Sequence, residues 1–309
     1  MQLPESVRRK IEERVEPVGF PALKRASAEI SQAYREGRTP APGTTARAAA
    51  YLVTRMPATF AAADAVLRET RERLAGAKVE SVLDVGAGSG AASLAAQRWF
   101  SESRLTLIER DAVMADAARE ILPGAAIRME DFTRLERFPP HDMVIAAYAV
   151  GETRRPEVVA RLWAAARVAL VVIEPGTPRG FAWIRDIRSL LLASGAHMVS
   201  PCPGAFPCPL ADPDWCHFAA RVERTSLHRR LKQAELNYED EKFSYVAVAR
   251  ESATPAASRI IRRPRHVPGL VVLETCTPRG VETVRATRRD RDRFRAARRS
   301  AWGDPFPPE

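Results

Sequence analysis

From residue 79 onward, short runs rich in β-branched residues alternate with segments of helical periodicity. The runs include VESVLDVG, LTLIER, DMVIAAYAV and ALVVIEPG, and helical stretches such as AASLAAQRWF separate them. Because a strand, a helix and a second strand pack as a right-handed βαβ unit, this order predicts a parallel sheet covered by helices on both faces. We therefore expect an α/β fold with a doubly wound sheet that binds ligands at the carboxyl ends of its strands.

Three further regions flank or interrupt this sheet. Residues 1–75 carry helical apolar spacing, broken by prolines and by a TPAPG loop at Thr39–Gly43, and they predict an N-terminal helical region. Residues 76–250 are expected to form the core, with a cysteine-bearing insertion at 200–242 before a last strand, FSYVAVAR. Residues 251–309 predict a small basic extension made of a short hairpin and a helix.

The segment VLDVGAGSG places Asp84, Gly86, Gly88 and Gly90 between a strand and a helix. Glycine lets the backbone turn sharply and approach a ligand without a Cβ in the way. A dinucleotide-binding loop would be spaced G-x-G-x-x-G, whereas this loop is D-x-G-x-G-x-G with an acid before the turn. The acid suits a cationic ligand that carries an amino acid, such as S-adenosylmethionine. A nicotinamide cofactor and a plain structural turn are the alternatives.

Positions after the neighbouring strands extend this cofactor site. Glu109, nineteen residues beyond Gly90, is expected to accept hydrogen bonds from the ribose, and Asp131 and Phe132 are expected to bracket the adenine. The predicted cofactor-binding residues are Asp84, Gly86, Ala87, Gly88, Gly90, Glu109, Asp131, Phe132 and Ala147.

A catalytic group is harder to identify. Methyltransferases that act on amine or base nitrogens often carry an N-P-P-Y pattern after the fourth strand, and this chain has AAYAVGE instead. Tyr148 and Glu152 in this segment are the candidate catalytic residues, although a tyrosine at the end of a strand is also common in a core or at a cavity rim. The sequence contains no Walker loop, H-E-x-x-H motif or Ser-His-Asp set.

All four cysteines, Cys202, Cys208, Cys216 and Cys276, lie in the last third of the chain, with five, seven and fifty-nine residues between successive members. Structural zinc sites have about two to four residues between paired ligands, which this spacing lacks. Four thiolates are what an iron–sulfur cube requires, and Cys-Pro pairs occur at residues 202–203 and 208–209. The spacing is compatible with a [4Fe-4S] cluster, with a zinc ion that takes His217 as an alternative ligand, and with unligated core cysteines.

The chain carries a formal net charge of +10, and +6 of this charge lies in residues 285–299, which contain eight Arg and two Asp. Arginine suits RNA because its planar guanidinium binds phosphate bidentately and stacks on bases. A solvated arginine-rich surface is the alternative. The candidate RNA-binding residues are Arg221, Arg224, Arg229, Arg230, Arg262, Arg263, Arg288, Arg289, Arg298 and Arg299.

Several strings occur together along nearly the whole chain: AAYLVTRMPATFAA, LDVGAGSG, VVIEPGTPRGF, CPGAFPCPL, DWCHFAARVERTSLHRRLK, YEDEKFSYVAVAR and ARRSAWGD. They resemble the methyltransferase-like proteins of the mitochondrial small ribosomal subunit and their bacterial relatives. The resemblance implies a Rossmann-like class I methyltransferase domain, association with the small subunit and its rRNA, and a [4Fe-4S] site on Cys202, Cys208, Cys216 and Cys276. CPGAF departs from the Cys-Pro-His common in relatives, so no histidine role transfers to Gly204.

Three functions remain from different classes. The first is an S-adenosylmethionine-dependent methyltransferase acting on small-subunit rRNA, and the second is a non-catalytic assembly factor that binds the same rRNA. The third is a small-molecule methyltransferase, which the basic C-terminal segment disfavours.

Location and assembly are predicted from the same sequence. The segment MQLPESVRRKIEERVEP predicts neither a secretory signal nor a transit peptide, and it favours a cytoplasmic location. We also expect a monomer with no membrane partner.

Overall fold

A computed structural model describes residues 1–36, 43–74 and 76–307 of the chain, so of the predicted loop at Thr39–Gly43 only Gly43 is described. The helices are α1 (Glu5–Val15), α2 (Phe20–Arg35), α3 (Thr45–Thr54), α4 (Met56–Arg73), α5 (Ala91–Trp99), α6 (Ala112–Ile121), α7 (Pro156–Ala165), α8 (Pro178–Ala193), α9 (Ser226–Lys232) and α10 (Arg291–Arg299). The strands are β1 (Ser81–Val85), β2 (Arg104–Glu109), β3 (Ala126–Met129), β4 (His141–Ala147), β5 (Ala166–Pro175), β6 (His197–Ser200), β7 (Phe218–Glu223), β8 (Tyr238–Ala249), β9 (Arg259–Ile260), β10 (Arg265–Val267), β11 (Leu270–Thr277) and β12 (Gly280–Thr287).

The central sheet has eight strands in the order β3-β2-β1-β4-β5-β8-β6, and β7 pairs with the first half of β8. Strands β1 to β5 are parallel, whereas β8 runs antiparallel to both β5 and β6. The chain moves outward from β1 to β3 and then returns to β4 beside β1, which creates a crevice at the carboxyl ends of these two strands. This topology confirms the predicted doubly wound, Rossmann-like sheet.

Two apolar layers cover the sheet. Along β5, Val171 and Ile173 face one layer while Leu170 and Val172 face the other, as the period-two alternation of a strand requires. The first layer contains buried side chains of α1 to α6, and the second contains those of α7 and α8. The N-terminal helices therefore form part of the same core as the sheet. No helix among the described residues is long and apolar enough to cross a membrane.

The insertion leaves and re-enters the sheet along one edge of β8. Strand β6 pairs with the end of β8, around Ala247 to Ala249, and β7 pairs with its beginning, from Tyr238 to Phe243. Residues 201–217, which include three of the cysteines, therefore project from the point where β6 and β7 meet. The sequence analysis did not predict β7 or α9 within the insertion, and the last strand begins five residues earlier than the predicted FSYVAVAR.

The C-terminal extension is larger than the predicted hairpin and helix. Strands β11 and β12 form the hairpin, β10 pairs with β11 along one part of its length, and β9 pairs with β11 near Cys276. Helix α10 packs on this sheet, and Leu273, Ala286, Ala297 and Phe306 are among the side chains of a small apolar core. The extension thus has apolar packing of its own.

Candidate cofactor and cysteine sites

A cavity of about 1910 Å³ lies at the carboxyl ends of strands β1 to β5. The turns after all five strands line it, and helices α2 and α3 line it from the N-terminal region. The insertion closes a further side through Leu231 to Gln233 and Asp240 to Lys242. Since pockets for drug-sized ligands span about 300 to 1,000 Å³, the cavity has room for more than one small molecule.

The glycine loop between β1 and α5 needs its glycines for both backbone conformation and space. Gly86 has φ +69°, and a Cβ at this position would lie 2.7 Å from the Cβ of Ala149. Gly90 has φ +79°, and a Cβ there would lie 2.8 Å from Leu122. The backbone amides of Gly86 and Ala87 both donate to the carbonyl of Ile108, at 2.9 and 3.1 Å, so that β2 supports the loop.

Glu109, at the end of β2, is the acidic partner of this loop. Its Oε2 accepts the backbone N–H of Gly88 at 2.8 Å, and its Oε1 accepts that of Asp111 at 2.7 Å. The side chain lines the cavity although the residue is only 9% exposed. A carboxylate offers about four lone-pair sites, so two acceptor positions remain after these two bonds.

Asp84 lines the cavity from beneath the loop. Its Oδ2 accepts the backbone N–H and the hydroxyl of Ser93, at 3.0 and 2.7 Å, which ties β1 to the first turns of α5. Burial raises the pKa of Asp84 to about 6, while the Ser93 hydrogen bonds act in the opposite direction. The Oδ2 atom of Asp84 therefore holds the start of α5 against β1, a structural role that the sequence analysis did not predict.

The other predicted cofactor residues divide into two groups. Phe132 and Ala147 line the cavity with the glycine loop, whereas Asp131 and Gly90 do not. The Oδ1 of Asp131 instead accepts the backbone N–H and hydroxyl of Thr133, and its Oδ2 pairs with Arg110 at 3.3 Å. Asp131 thus caps the short helix at Phe132–Arg134, and we exclude it from the candidate site.

On the side of β4 and β5, several buried polar groups face the cavity. Both catalytic candidates, Tyr148 and Glu152, line it, and the hydroxyl of Tyr148 is buried with no hydrogen-bond partner among the described residues. Glu174, at the end of β5, is 4% exposed, and its Oε1 accepts the backbone N–H of Gly151 at 2.7 Å. Burial raises the pKa of Glu174 to about 8, which the hydrogen bond from Gly151 partly offsets.

An ion pair between distant segments completes this side. The guanidinium of Arg55, between α3 and α4, donates to both carboxylate oxygens of Glu241 on β8, at 3.1 and 3.3 Å. Arg55 also lies over the ring of Tyr34, and Tyr51 lines the same wall. The sequence analysis missed these residues and Glu174, although AAYLVTRMPATFAA, VVIEPGTPRGF and YEDEKFSYVAVAR contain four of the five.

The four cysteines converge on a second, smaller cavity of about 50 Å³. Its remaining lining is largely apolar and includes Phe181, Phe206 and Ile261, while Arg188 and Arg259 lie at its edge. One buried water needs about 10 to 15 Å³, so this cavity has room for a group of several atoms. Among the described residues, no set of three Cys, His, Asp or Glu side chains is arranged to hold a single metal ion.

Three of the four cysteines, Cys202, Cys216 and Cys276, have raised pKa values, which favour the protonated thiol. Burial, and then repulsion from Cys202, raise the pKa of Cys276 to about 12, and burial also raises the pKa values of Cys202 and Cys216. Arg188 acts in the opposite direction on Cys202. Because thiolates are the metal-binding form, loading of the site must release protons.

The candidate RNA-binding arginines differ in solvent exposure and in whether they pair with carboxylates. Arg288, Arg289, Arg298 and Arg299 are exposed, and within the described ranges none has a carboxylate within 4 Å. By contrast, Arg224 donates to Glu239 through two nitrogens and its side chain is only 15% exposed. Arg224 therefore fits a structural ion pair better than a phosphate contact. Four other candidates also have partners: Arg221 pairs with Asp240, Arg230 lies over the ring of Phe20, Arg262 pairs with Asp214, and Arg263 lies near Asp240.

Comparison with known proteins identifies relatives of the chain. Ribosome assembly protein METTL17, mitochondrial, of Homo sapiens is 29% identical over 290 residues, which cover 83% of this chain and 62% of that protein. Rsm22-cox11 tandem protein 2, mitochondrial, of Schizosaccharomyces pombe is 24% identical over 84% of this chain and 43% of its own length. The chain thus spans less than two thirds of these relatives. Both relatives are named as mitochondrial.

Among solved structures, the magnesium protoporphyrin IX methyltransferase of Synechocystis PCC 6803 with bound SAM is similar, with 15% identity and a TM-score of 0.40. That similarity covers 61% of this chain and 78% of the other. The family model described as mitochondrial small ribosomal subunit Rsm22 matches residues 45–307. Since this match includes the glycine loop, the insertion with its cysteines and the C-terminal extension, the chain belongs to the Rsm22 family.

Proposed function

We propose that this protein binds S-adenosylmethionine and a [4Fe-4S] cluster and acts on the small ribosomal subunit and its rRNA, with methyl transfer to rRNA as its activity. The observation that carries the proposal is the geometry of the large cavity. The glycine loop and Glu109 form one side of it, and buried polar groups at the ends of β4 and β5 form the other.

The cofactor is proposed from the chemistry of the first side. Glu109 is held rigidly by two backbone amides, and its remaining acceptor positions suit ribose hydroxyls. Phe132 offers an aromatic face to the adenine, and Asp84 offers negative charge to the ammonium. The proposed cofactor-binding residues are Asp84, Gly86, Ala87, Gly88, Glu109, Phe132 and Ala147. When bound, S-adenosylmethionine supplies a methyl group carried on a sulfonium.

The acceptor side is proposed from groups that exchange or donate protons. Burial raises the pKa of Glu174 to about 8, so its carboxyl group can exchange a proton near neutral pH. A general acid or base works best when its pKa lies near the working pH. We assign Glu174 to accept the proton that an acceptor nitrogen loses, and Tyr148 to orient the acceptor through its buried hydroxyl, which lies near Glu241. Glu152 remains a candidate on the same wall.

The cluster is proposed from the shape of the cysteine cavity. A single zinc ion requires its thiolates within about 2.3 Å of one point. A cube places each thiolate on a different iron, so its ligands stand further apart around a group of several atoms. Cys202, Cys208, Cys216 and Cys276 around a cavity of about 50 Å³ fit this description.

An assembly role without catalysis is the second candidate, and one observation favours it. The human relative is named a ribosome assembly protein. In this role the cavity would bind the cofactor as a structural ligand, and the exposed arginines of the C-terminal extension would contact rRNA phosphates.

Two measurements test the proposal. Titration calorimetry with S-adenosylmethionine should give an affinity that falls about ten- to a hundred-fold in Glu109→Ala, because a charged acceptor contributes about 1.5 to 3 kcal/mol. Glu157→Ala, an exposed carboxylate outside the cavity, is the control. If wild type does not bind the cofactor, or if the Glu109 variant binds it equally well, the cofactor site is wrong.

The second measurement separates methylation from assembly. Modified nucleotides in small-subunit rRNA are compared between cells with the gene, without it, and with Glu174→Gln. Loss of one modification in both altered strains supports methyl transfer. An unchanged set of modifications, combined with defective subunits in the deletion strain, supports the assembly role.

A further inference from the structure

The cysteine cavity and the large cavity share a wall. Residues 174–177, at the end of β5 and before α8, line the large cavity through Glu174, Pro175 and Thr177. Phe181, in the first turns of α8, lines the cysteine cavity and packs with Leu210 and Ile261 against three of the cysteines. The continuous segment 174–181 therefore lines the large cavity at its beginning and the cysteine cavity at its end.

Two hydrogen bonds fasten this wall to the residues around Cys216. The indole Nε1 of Trp215 donates to the carbonyl of Gly176 at 3.1 Å. The hydroxyl of Ser244, which stands opposite Glu174 in the β5–β8 ladder, donates to the carbonyl of Cys216 at 2.8 Å. These bonds link residues 215–216 to Gly176 and to the strand that pairs with Glu174. A shift of the backbone at Cys216 would therefore displace residues 174–177.

The indole of Trp215 is itself held by its neighbours. Its ring stacks on His217 with centroids 5.2 Å apart, and Trp302 of the C-terminal extension meets the other side of His217 edge-on at 4.7 Å. The two tryptophans thus contact one histidine, but they differ in one respect. Trp215 donates a hydrogen bond to the wall, whereas the buried Nε1 of Trp302 has no partner among the described residues.

The wall in turn shapes the acceptor side of the large cavity. The amide of Gly176 donates to the carbonyl of Lys242 at 2.9 Å, and the hydroxyl of Thr177 caps α8 by accepting the amide of Gly180 at 3.0 Å. Glu174 holds the turn after β4 through Gly151. A loosened wall would therefore release the groups to which the acceptor chemistry is assigned.

We propose that Trp215 is a positioning residue that transmits occupancy of the cysteine site to residues 174–177 of the large cavity. A metal group bound to Cys216 would fix the backbone of residues 215–216 and with it the indole of Trp215. The Trp215 indole would then keep its hydrogen bond to the Gly176 carbonyl. Without the metal group the segment 201–217 lacks that restraint, and the wall loses order. The inference rests on the proposed metal site, but it requires neither cofactor binding nor catalysis.

Hydrogen exchange of the full chain, followed by mass spectrometry, tests this coupling. Anaerobically purified protein of measured iron and zinc content is compared before and after metal removal by a chelator. We expect removal to speed exchange of the amides of Gly176, Gly180 and Phe181. Trp215→Phe, which keeps an aromatic ring but loses the donor, should speed the same amides by about two- to twelve-fold with the metal still bound, the effect of one neutral hydrogen bond.

Trp302→Phe is the matched control, because it changes the same residue type against the same histidine without removing a hydrogen bond. It should leave the exchange of residues 174–181 unchanged. Equal rates in the two variants would overturn the role of Trp215. Metal removal that speeds exchange in residues 201–217 but leaves residues 174–181 unchanged would overturn the coupling while leaving the metal site intact. Protein purified without bound metal would overturn the metal site and the coupling together.

Discussion

Arg259 joins three parts of the molecule that are far apart in the sequence. It is 2% exposed, and its guanidinium donates to the carbonyl of Pro201 beside the first cysteine at 3.1 Å and to that of Gly303 near the C-terminus at 2.7 Å. A third contact is an ion pair with Glu69 of α4 at 2.5 Å. Replacement by leucine removes all three contacts and leaves Glu69 with Arg73, 3.0 Å away, as its remaining partner.

We expect Arg259→Leu to lower the free energy of unfolding by about 3 to 5 kcal/mol, the range for breaking one buried ion pair. Because Glu69 retains its ion pair with Arg73, we expect a loss toward the lower end of this range. The carbonyls of Pro201 and Gly303, which lose a hydrogen-bond donor, increase the loss. Urea unfolding with a fixed m-value measures the difference. Arg263→Leu is the control, because its side chain is 75% exposed and the change should stay within about 0.5 kcal/mol.

A double variant isolates the cause. Glu69→Gln combined with Arg259→Leu removes the charge that the single change leaves poorly paired, so the double variant should be more stable than the sum of the single effects. Burial alone would raise the pKa of Glu69, but Arg259, and then Arg73, hold it below its ordinary 4.5. This stabilisation is complete above pH 4.5 and disappears as the pH falls through the lower, folded-state pKa. A loss below 1 kcal/mol, or additive effects, would refute the assigned role.

The remaining predictions concern the metal site, the cavity and the RNA surface. Anaerobically purified wild-type protein should be brown and contain roughly four irons per chain, and Cys276→Ser should lose both the colour and the iron. A colourless wild-type protein with one zinc would instead support the zinc alternative. Glu174 has a raised folded-state pKa, so it lowers stability as the pH rises from 4.5 to about 8. Glu174→Gln should remove that decline in urea unfolding, and an identical pH profile in both proteins would contradict the raised pKa. RNA affinity should fall steeply as the salt concentration rises. Neutralising Arg288, Arg289, Arg298 and Arg299 should make the slope of log affinity against log salt concentration shallower by up to about three. An unchanged slope would exclude the C-terminal surface as the RNA contact.

Local patterns predicted the parts of the fold that depend on neighbouring residues. The alternation of strands and helices predicted the parallel sheet, because side-chain periodicity is set within each segment. The glycine loop was predicted with its turn, because φ values of +69° and +79° at Gly86 and Gly90 favour glycine whatever lies around them. Glu109 was placed beside this loop because parallel strands end at the same edge.

The sequence did not predict contacts between distant segments. Arg55 and Glu241 are 186 positions apart, and only the folded chain brings their charges together on the cavity wall. Asp131 was assigned to the cofactor because it follows a strand, but the nearby Thr133 and Arg110 occupy its carboxylate. The strand β7 was missed because its short, mixed sequence becomes a strand through pairing with β8.

The sequence by itself determined the alternation of strands and helices in the parallel part of the sheet, the glycine loop and the set of four cysteines, since each depends on residue type and spacing. Only the tertiary structure decided which groups are available for binding. Arg224 and Arg288 both lie in arginine-rich segments, yet Arg224 is partly buried against Glu239 and Arg288 is exposed. Likewise, Trp215 and Trp302 contact the same histidine, but only Trp215 reaches a carbonyl of the cavity wall. The physical reason is that burial and pairing depend on residues far away in the chain, which local patterns do not specify.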